Sequence, residues 1–372
     1  MRLRLHPRHR IDASWGDAVW ALLSSLRAPA ADPDVYLSVR SAFHLLLETA
    51  GWAPGDEVLM SAVTHPDMVR IVELHGLRPI PVDVDFDTLA PDERALEAAL
   101  AAAPRARALV VAHLFGAWVE LDAALAAARR HGLVLIEDCA QSLSSAEDRG
   151  DPRADVSLFS FGFLKTATAF GGALAVVRDP DLAAGMAKRH AQWPLQTRSA
   201  YAGRAARALL ALALSRPVAY GLAVRLLGDP GPLVRSTPPA DDDGFRAWLE
   251  RRPSGGLVAT LGRRLARFPA ERLRRRAEAG DELAAAAAAA GLERPGWAVG
   301  STHWLFPVVV ADPDALVDRL WAAGFDAARG TSQIAAVEPA PPTARRMMAG
   351  IVFVPAYPEV AVGERRRLAS LL

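Results

Sequence analysis

Cysteine, lysine and asparagine are scarce or missing in this chain. Its 372 residues include one cysteine, Cys139, which excludes an internal disulfide and is typical of a reducing compartment. Asparagine is absent altogether, so the chain carries no N-glycosylation acceptor. Of the 43 basic residues only Lys165 and Lys188 are lysines, and the others are arginines. A lysine that is kept in such a chain calls for a chemical explanation.

A strong charge of either sign is also missing. The net charge is +1 and the pI is about 8.0, which gives no electrostatic basis for binding nucleic acid. The arginine runs at Arg272–Arg276 and Gly363–Arg367 follow helical patterns, and we interpret both as solvated helix faces.

No apolar run is long enough to cross a membrane. The most apolar region, Ala206–Gly228, is interrupted by Arg207, Arg216, Pro217 and Arg225, which predicts two packed or surface-lying amphipathic helices. The first 15 residues start basic without an apolar core after them, so no signal peptide is evident. With the single cysteine, this predicts a cytoplasmic protein.

Short apolar runs alternate with helical segments from Ser38 to about Val177. Strands are predicted in 56–63, 78–85, 108–116 and 133–138, and helices in 66–76, 92–103 and 121–132. Gly76 and Gly132 stand where left-handed helix caps are expected. This rhythm predicts an α/β fold with a mostly parallel sheet that is covered by helices on both faces.

The pattern changes after Val177. Residues 179–250 are helical and rich in arginine, with a proline-rich break at 229–244, and long helices are expected in 257–291. Strands at Trp304–Val310 and Gly350–Tyr357 flank a helix, so the end of the chain has an α+β pattern. We predict a large domain over 1–253, with a helical insertion at about 192–252, and a smaller C-terminal domain over 254–372.

Lys165 lies inside the apolar stretch "SLFSFGFLKTATAFGG", whereas Lys188 lies in a mixed helix and is explained as a solvated charge. An amine differs from a guanidinium in one chemical respect, because it can lose its proton when desolvated and attack a carbonyl. Lys165 is therefore a candidate nucleophile and base.

Other polar residues fall at the carboxyl ends of predicted strands, where open α/β sheets bind ligands. Asp138 is either a helix cap or a functional acid, while His113 and His65 are, taken alone, best explained as a core residue and a turn residue. The further candidates at this edge are Gln141, Ser160 and the pair Gly171 and Gly172. Pyridoxal phosphate requires this set of groups: an acid for its ring nitrogen, an amine for a Schiff base, and hydroxyls with small residues for its phosphate.

The ordered motifs "PGDEVLMSAVTHPD", "PIPVDVDFDTLAPD", "VVAHLFG", "HGLVLIEDCAQS" and "DVSLFSFGFLK" resemble those of the DegT/DnrJ/StrS sugar aminotransferases. The resemblance runs from about Leu37 to Val177 and resumes more weakly after Ser254. It implies fold type I of the enzymes that depend on pyridoxal 5'-phosphate, with a seven-stranded type of sheet. It also implies a homodimer whose active sites are completed by the partner chain.

The resemblance assigns roles to individual residues. Lys165 matches the lysine that holds the cofactor as an internal aldimine and then moves protons. Asp138 matches the acid that pairs with the pyridine nitrogen. The other matches are Gln141 beside the ring oxygen, Ser160 at the phosphate, His65 stacked on the ring, and His113 near the cofactor. No metal is implied.

The chain departs from the family pattern at several positions. The family's "SGT" reads Ser38–Val39–Arg40 here, followed by Ser41, so Arg40 either makes a charge-assisted phosphate contact or is an ordinary arginine at a helix start. Thr166 replaces an asparagine, the turn after it is shortened to "FGG", and the asparagine–x–arginine motif gives way to "RRPSGG". For the insertion at 192–252 we favour dimer packing over contact with a membrane surface.

The prediction is an aminotransferase that moves an amino group from glutamate or glutamine to a keto group of a sugar-like or other secondary metabolite. The changes at "RRPSGG" and "GFDAARGTSQIAAV" bear on the identity of this substrate, for which a nucleotide-sugar is one candidate. Two alternatives remain: a lyase or carbon–carbon bond-forming enzyme with the same cofactor, and a non-catalytic binding protein on this fold.

Overall fold

A computed structural model describes residues 4–26, 32, 34–228 and 237–372. The strands are β1 (Val35–Tyr36), β2 (Glu57–Ser61), β3 (Val63–Thr64), β4 (Arg78–Val82), β5 (Ala106–Ala112), β6 (Val134–Asp138), β7 (Val156–Ser160), β8 (Ala173–Val177), β9 (Phe306–Val309), β10 (Ala335–Ala336) and β11 (Ile351–Val354). The helices are α1 (Trp15–Ser24), α2 (Val39–Ala50), α3 (Pro66–Leu74), α4 (Glu93–Ala102), α5 (Asp122–His131), α6 (Pro180–His190), α7 (Arg198–Leu214), α8 (Pro217–Leu227), α9 (Asp242–Leu249), α10 (Gly255–Ala266), α11 (Ala270–Ala289), α12 (Pro313–Ala323), α13 (Pro342–Gly350) and α14 (Val362–Ala369).

The central sheet has seven strands in the order β1-β8-β7-β6-β5-β2-β4. The pairs β2–β4, β2–β5, β5–β6 and β6–β7 are parallel, whereas β8 is antiparallel to both of its neighbours. This confirms the predicted α/β class and the mostly parallel sheet. The carboxyl ends of β5, β6 and β7 consequently lie side by side, at one edge of the sheet.

Alternating strand residues bury opposite faces of the sheet. Met60 and Val110 pack with the residues of α2, α3 and α6 in one apolar cluster, while Leu59 and Leu109 pack with α4 and α5 in another. Continuous burial of β2 and β5 on both faces explains why their sequences read as unbroken apolar runs.

Local signals mark the helix ends as predicted. Gly132 caps α5 at φ 64° and Gly76 follows α3 at φ 70°, both in the left-handed region that favours glycine. The apolar region forms two helices, α7 and α8, bent by 105°. No single helix in the described part of the chain is long and apolar enough to cross a membrane, although this bent pair passes by length and composition alone.

One side-chain expectation is wrong. The run Arg272–Arg276 lies on α11, but Arg276 is only 5% exposed and therefore does not belong to a solvated face. The proline-rich break predicted at 229–244 lies in part outside the described residues. The domain division at Ser254 remains a prediction; α10, which follows it, packs Leu257 and Leu261 into one cluster with Phe159 and Phe170.

Candidate active site

Lys165 lies in the loop that joins β7 to β8 and its side chain is buried. Its Nζ atom is 3.7 Å from the ring centroid of Trp304, whose indole N–H donates to the carbonyl of Leu164 at 2.9 Å. Burial lowers the pKa of Lys165 to about 7; Asp138 opposes this shift and Arg40 adds to it. Near neutral pH a large fraction of this amine is therefore unprotonated and nucleophilic. Lys188, in contrast, is exposed on α6.

Asp138 is the last residue of β6 and is buried at the carboxyl edge of the sheet. No helix starts there, so the helix-cap alternative does not apply. One carboxylate oxygen, Oδ1, accepts a hydrogen bond from the N–H of Ala140 at 3.0 Å. Within the described residues Oδ2 has no hydrogen-bond partner. Burial raises the pKa of Asp138, while the ammonium of Lys165 favours its ionised form.

Gln141 and His113 are fixed by hydrogen bonds beside Asp138. Gln141 Oε1 accepts from the N–H of Phe115 at 2.8 Å. His113 Nδ1 accepts from the N–H of Val119 at 3.0 Å, so in the neutral ring Nε2 carries the proton and donates to Glu137 at 3.0 Å. Both ring nitrogens are thus engaged, which leaves His113 only a ring face to present to a cofactor.

The prediction of His113 as a core residue agrees with its burial, and its hydrogen bonds do not require a metal ion. Nitrogen, carboxylate and thiol atoms of His113, Glu137 and Cys139 lie within 4.8 Å of one another. Burial raises the pKa of the Cys139 thiol, however, and the ring nitrogens of His113 are already occupied. We interpret His113 and Glu137 as a buried hydrogen-bonded pair beside which Cys139 packs.

His65 caps α3, where its Nδ1 accepts from the N–H of Asp67 at 3.1 Å. Burial and then the charge of Arg40 lower its pKa to about 4, so the ring is neutral at neutral pH. The charge of Lys165 acts on it in the same direction. His65 therefore serves as the predicted turn residue and also lies within electrostatic reach of the candidate nucleophile.

The residues predicted for a phosphate come together at the start of α2. Ser38 caps this helix by accepting from the N–H of Ser41 at 3.1 Å, and the two hydroxyls lie 3.0 Å apart. Gly172, at φ 91°, donates its N–H to the carbonyl of Leu37 at 3.0 Å. Ser160 pairs with Ala173, the residue after Gly172. These backbone contacts thus bring Ser160 and Gly172 close to the N-terminus of α2 and its two serine hydroxyls.

Arg40 belongs to this region, but an acid already holds it. Its Nη1 lies 2.5 Å from Asp67 Oδ2, and its guanidinium is 4.5 Å from the ring centroid of Trp248. The predicted phosphate contact of Arg40 accordingly remains a prediction.

Two residues of this site were not found from the sequence. Trp304 contacts the Lys165 amine although it lies far along the chain. Arg276 donates to Thr166 Oγ1 and to the carbonyl of Thr302, each at 2.9 Å, and so ties the loop of Lys165 to α11. A signal for Arg276 was present, because it lies at helical spacing from the buried residues Leu273 and Gly280.

A groove of about 650 Å³ lies beside α11, and its lining includes Trp118, Arg294, Trp297 and Thr302. None of the predicted site residues lines it. The groove is linked to the loop of Lys165 by hydrogen bonds, since Arg276 donates both to the carbonyl of Thr302, which lines the groove, and to Thr166. The candidate active site is thus defined by its buried ionisable groups.

The chain is similar in sequence and in structure to known aminotransferases. Residues 37–200 match the model of the DegT/DnrJ/EryC1/StrS aminotransferase family. The structure is similar to that of the sugar aminotransferase CalS13 from Micromonospora echinospora, with 22% identity, a TM-score of 0.69 and 99% of each chain covered.

Two further solved structures are similar over the same length. DesI, solved in the presence of its TDP-sugar product, is 22% identical with a TM-score of 0.69, covering 100% of this chain and 92% of DesI. Spr1654 from Streptococcus pneumoniae, solved in a PLP form, is 16% identical with a TM-score of 0.66, covering 97% of this chain and 96% of Spr1654. These likenesses establish the shared fold over nearly the whole length.

The resemblance drawn from the sequence motifs is thereby confirmed for residues 37–200, which match the model of the DegT/DnrJ/EryC1/StrS aminotransferase family. This segment carries the candidate site residues Lys165, Asp138, Gln141, Ser160, His65 and His113.

Proposed function

We propose that this protein is an aminotransferase dependent on pyridoxal 5'-phosphate that acts on a sugar-like keto substrate. The observation that carries the proposal is the pairing of a buried amine with a buried acid at one sheet edge. The pKa of Lys165 falls to about 7, and each group shifts the pKa of the other. The match of residues 37–200 to the aminotransferase family model and the similar fold of a sugar aminotransferase support the reaction class.

The side chains present fit this cofactor. Asp138 keeps Oδ2 without a partner among the residues described, so it can accept a hydrogen bond from a protonated ring nitrogen. The cluster of Ser38, Ser41, Ser160 and the paired glycines offers hydroxyls and close backbone approach to a phosphate. When bound, the cofactor supplies an electron-withdrawing ring that acidifies a C–H bond of the attached amine.

This chain's residues provide the remaining chemistry. Lys165 takes a proton at Nζ and returns it, which its lowered pKa permits near neutral pH. Asp138 holds a proton on the ring nitrogen by remaining ionised opposite it. Trp304 covers the amine and excludes water from one side. Glutamate or glutamine is the proposed amino donor, and a keto sugar, free or linked to a nucleotide, is the proposed acceptor.

The first test is the visible spectrum of the purified protein before and after borohydride, followed by peptide mapping. We expect a yellow band that borohydride removes, with the reduced pyridoxyl group fixed on Lys165. Lys165→Ala should lose the band, whereas Lys188→Ala, which changes the second lysine, should keep it. A protein that takes up no pyridoxal phosphate would contradict the proposal and favour the binding-protein alternative.

The second test separates amino transfer from the lyase or carbon–carbon bond-forming alternative. Addition of glutamate should bleach the yellow band, and a keto sugar should restore it with formation of an amino sugar. Bleaching that never occurs with any amino donor, in a protein that holds the cofactor on Lys165, would favour the alternative reactions.

We also propose a homodimer in which α7 and α8 contribute to packing. Several apolar side chains of these helices are exposed, among them Leu222 and Leu226, which is 71% exposed. Light scattering on the wild type and on Leu222→Glu with Leu226→Glu should show a dimer that the substitutions weaken. If the wild type is monomeric and sediments with anionic vesicles, contact with a membrane surface replaces dimer packing.

A further inference from the structure

Arg204, on α7, reaches over the glycine pair that follows the Lys165 loop. A Cβ atom at Gly171 would lie 2.5 Å from Arg204 Nη1 and 3.4 Å from Leu257 Cδ1. Gly171 has φ 155°, which disfavours a side chain for a second reason. The guanidinium therefore occupies space that only a glycine leaves open, directly beside the backbone of Gly171.

No acid in the described part of the chain neutralises this guanidinium. Arg204 makes no hydrogen bond or ion pair with any residue in the described ranges, in contrast to Arg40, which is held by Asp67. The sequence from 182 to 228 contains no aspartate or glutamate. Burial lowers the pKa of Arg204 to about 10, and the charges of Arg207 and Arg40 add to this shift. A half-buried cation beside other cations is costly unless an anion joins it.

The surroundings of Arg204 indicate where such an anion would lie. Gly172 is hydrogen-bonded to Leu37, the residue before the α2 cap Ser38, and Ser160 lies next to Gly172 across the β7–β8 pair. Arg40, on the first turn of α2, acts electrostatically on both Arg204 and Lys165. The positive end of α2, the serine hydroxyls and Arg204 thus face one region close to the candidate nucleophile.

We infer that Arg204 is the counter-charge for the phosphate of the bound cofactor, supplied by α7 of the same chain. The inference rests on the proposed function, since it assigns a ligand to that same site. It also gives part of the segment 192–252 a role at the active site. A phosphate dianion would accept a charge-assisted hydrogen bond from Arg204 and balance the surplus of positive charge there.

The test compares wild type, Arg204→Gln and Arg198→Gln, a control at an exposed position of the same helix. Each protein is freed of cofactor and titrated with pyridoxal phosphate and with pyridoxal, which lacks the phosphate, by visible absorption. Arg204→Gln should raise the Kd for pyridoxal phosphate about 10- to 100-fold and change that for pyridoxal by less than about twofold. Arg198→Gln should behave like wild type, and Arg204→Lys should recover part of the loss.

Each other outcome has a distinct meaning. Equal affinities of wild type and Arg204→Gln for pyridoxal phosphate overturn the inference, as does a loss of the same size for pyridoxal, which indicates a structural role. Wild type that binds neither compound overturns the proposed function. In that case inorganic phosphate still tests the anion site, since it should raise the Tm of wild type more than that of Arg204→Gln. No difference between the two overturns the site as well.

Discussion

The amine of Lys165 lies against the face of the Trp304 ring, with Nζ 3.7 Å from the ring centroid. The ring has two opposing effects, because it excludes water and thereby favours the neutral amine, while its π-face attracts the ammonium. The pKa of about 7 shows that burial prevails. Because Trp304 covers the amine, we expect it to contribute to the burial that lowers the pKa of Lys165.

Trp304→Ala should admit water to Lys165 and raise its pKa toward the ordinary value. Acylation of Lys165 at pH 7 should then slow by about fivefold for the first unit by which the pKa rises and by about tenfold for each further unit. Mass spectrometry of the cofactor-free protein after brief treatment with acetic anhydride measures this rate, with Lys188 as the reference in the same digest. Trp304→Phe keeps a ring and should remain close to wild type. Unchanged labelling in Trp304→Ala would show that other groups set the pKa.

The lowered pKa of Lys165 should also appear in the pH dependence of stability. The folded amine titrates at about 7 and the unfolded amine at 10.5, so between these values the unfolded chain binds the extra proton. Stability contributed by this group therefore increases with pH in that window, by at most about 1.4 kcal/mol per pH unit. Below pH 7 both states are protonated and the cost of burying the ammonium is present in full.

Lys165→Met removes this cost. In cofactor-free protein, the variant should exceed wild type in free energy of unfolding at pH 7, and the difference should shrink by about 2–4 kcal/mol by pH 10. Urea denaturation at both pH values measures it, and Lys188→Met provides the control. A difference that does not vary with pH would show that Lys165 titrates normally.

Most of the sheet could be predicted because its signals are local. Unbroken apolar runs such as β5 and β6, with helices capped by glycines between them, determine the order and type of elements around Lys165 and Asp138. The residues of the site at strand ends followed from the same pattern, since the carboxyl ends of parallel strands meet.

The contacts that the sequence did not predict are of two kinds. Some join residues that are distant in the sequence, and others involve a single arginine within a run of several arginines. Trp304 is distant from Lys165 in the sequence, and no local sequence pattern indicates that the two residues are in contact. Arg276 and Arg275 are neighbours of the same type, yet Arg276 is buried and Arg275 exposed, because only Arg276 lies on the stripe of α11 that faces the site. Arg204 lies among other arginines of a segment without acids.

Asp138→Asn tests the electrostatic coupling across the site. The carboxylate of Asp138 raises the pKa of Lys165 against the effect of burial, so its loss should lower that pKa below 7 in the cofactor-free protein. The pH profile of Lys165 acylation measures the shift. Amino transfer should fall at least about 100-fold, since a neutral amide cannot hold a proton on the ring nitrogen. Retained activity in Asp138→Asn would remove Asp138 from the proposed mechanism.

Arg276→Ala tests whether the clamp between α11 and the Lys165 loop stabilises the fold. Its two hydrogen bonds, to Thr166 and to the Thr302 carbonyl, are buried, and their loss leaves both acceptors without a donor. The expected cost is about 2–4 kcal/mol in free energy of unfolding, measured by urea denaturation. Arg275→Ala, one residue away and exposed, should change stability by less than about 0.5 kcal/mol. Equal losses in free energy of unfolding for the two substitutions would show that the buried hydrogen bonds of Arg276 contribute nothing specific to stability. Because Arg276 also fixes the loop that carries Lys165, folded Arg276→Ala should bind the cofactor more weakly than wild type.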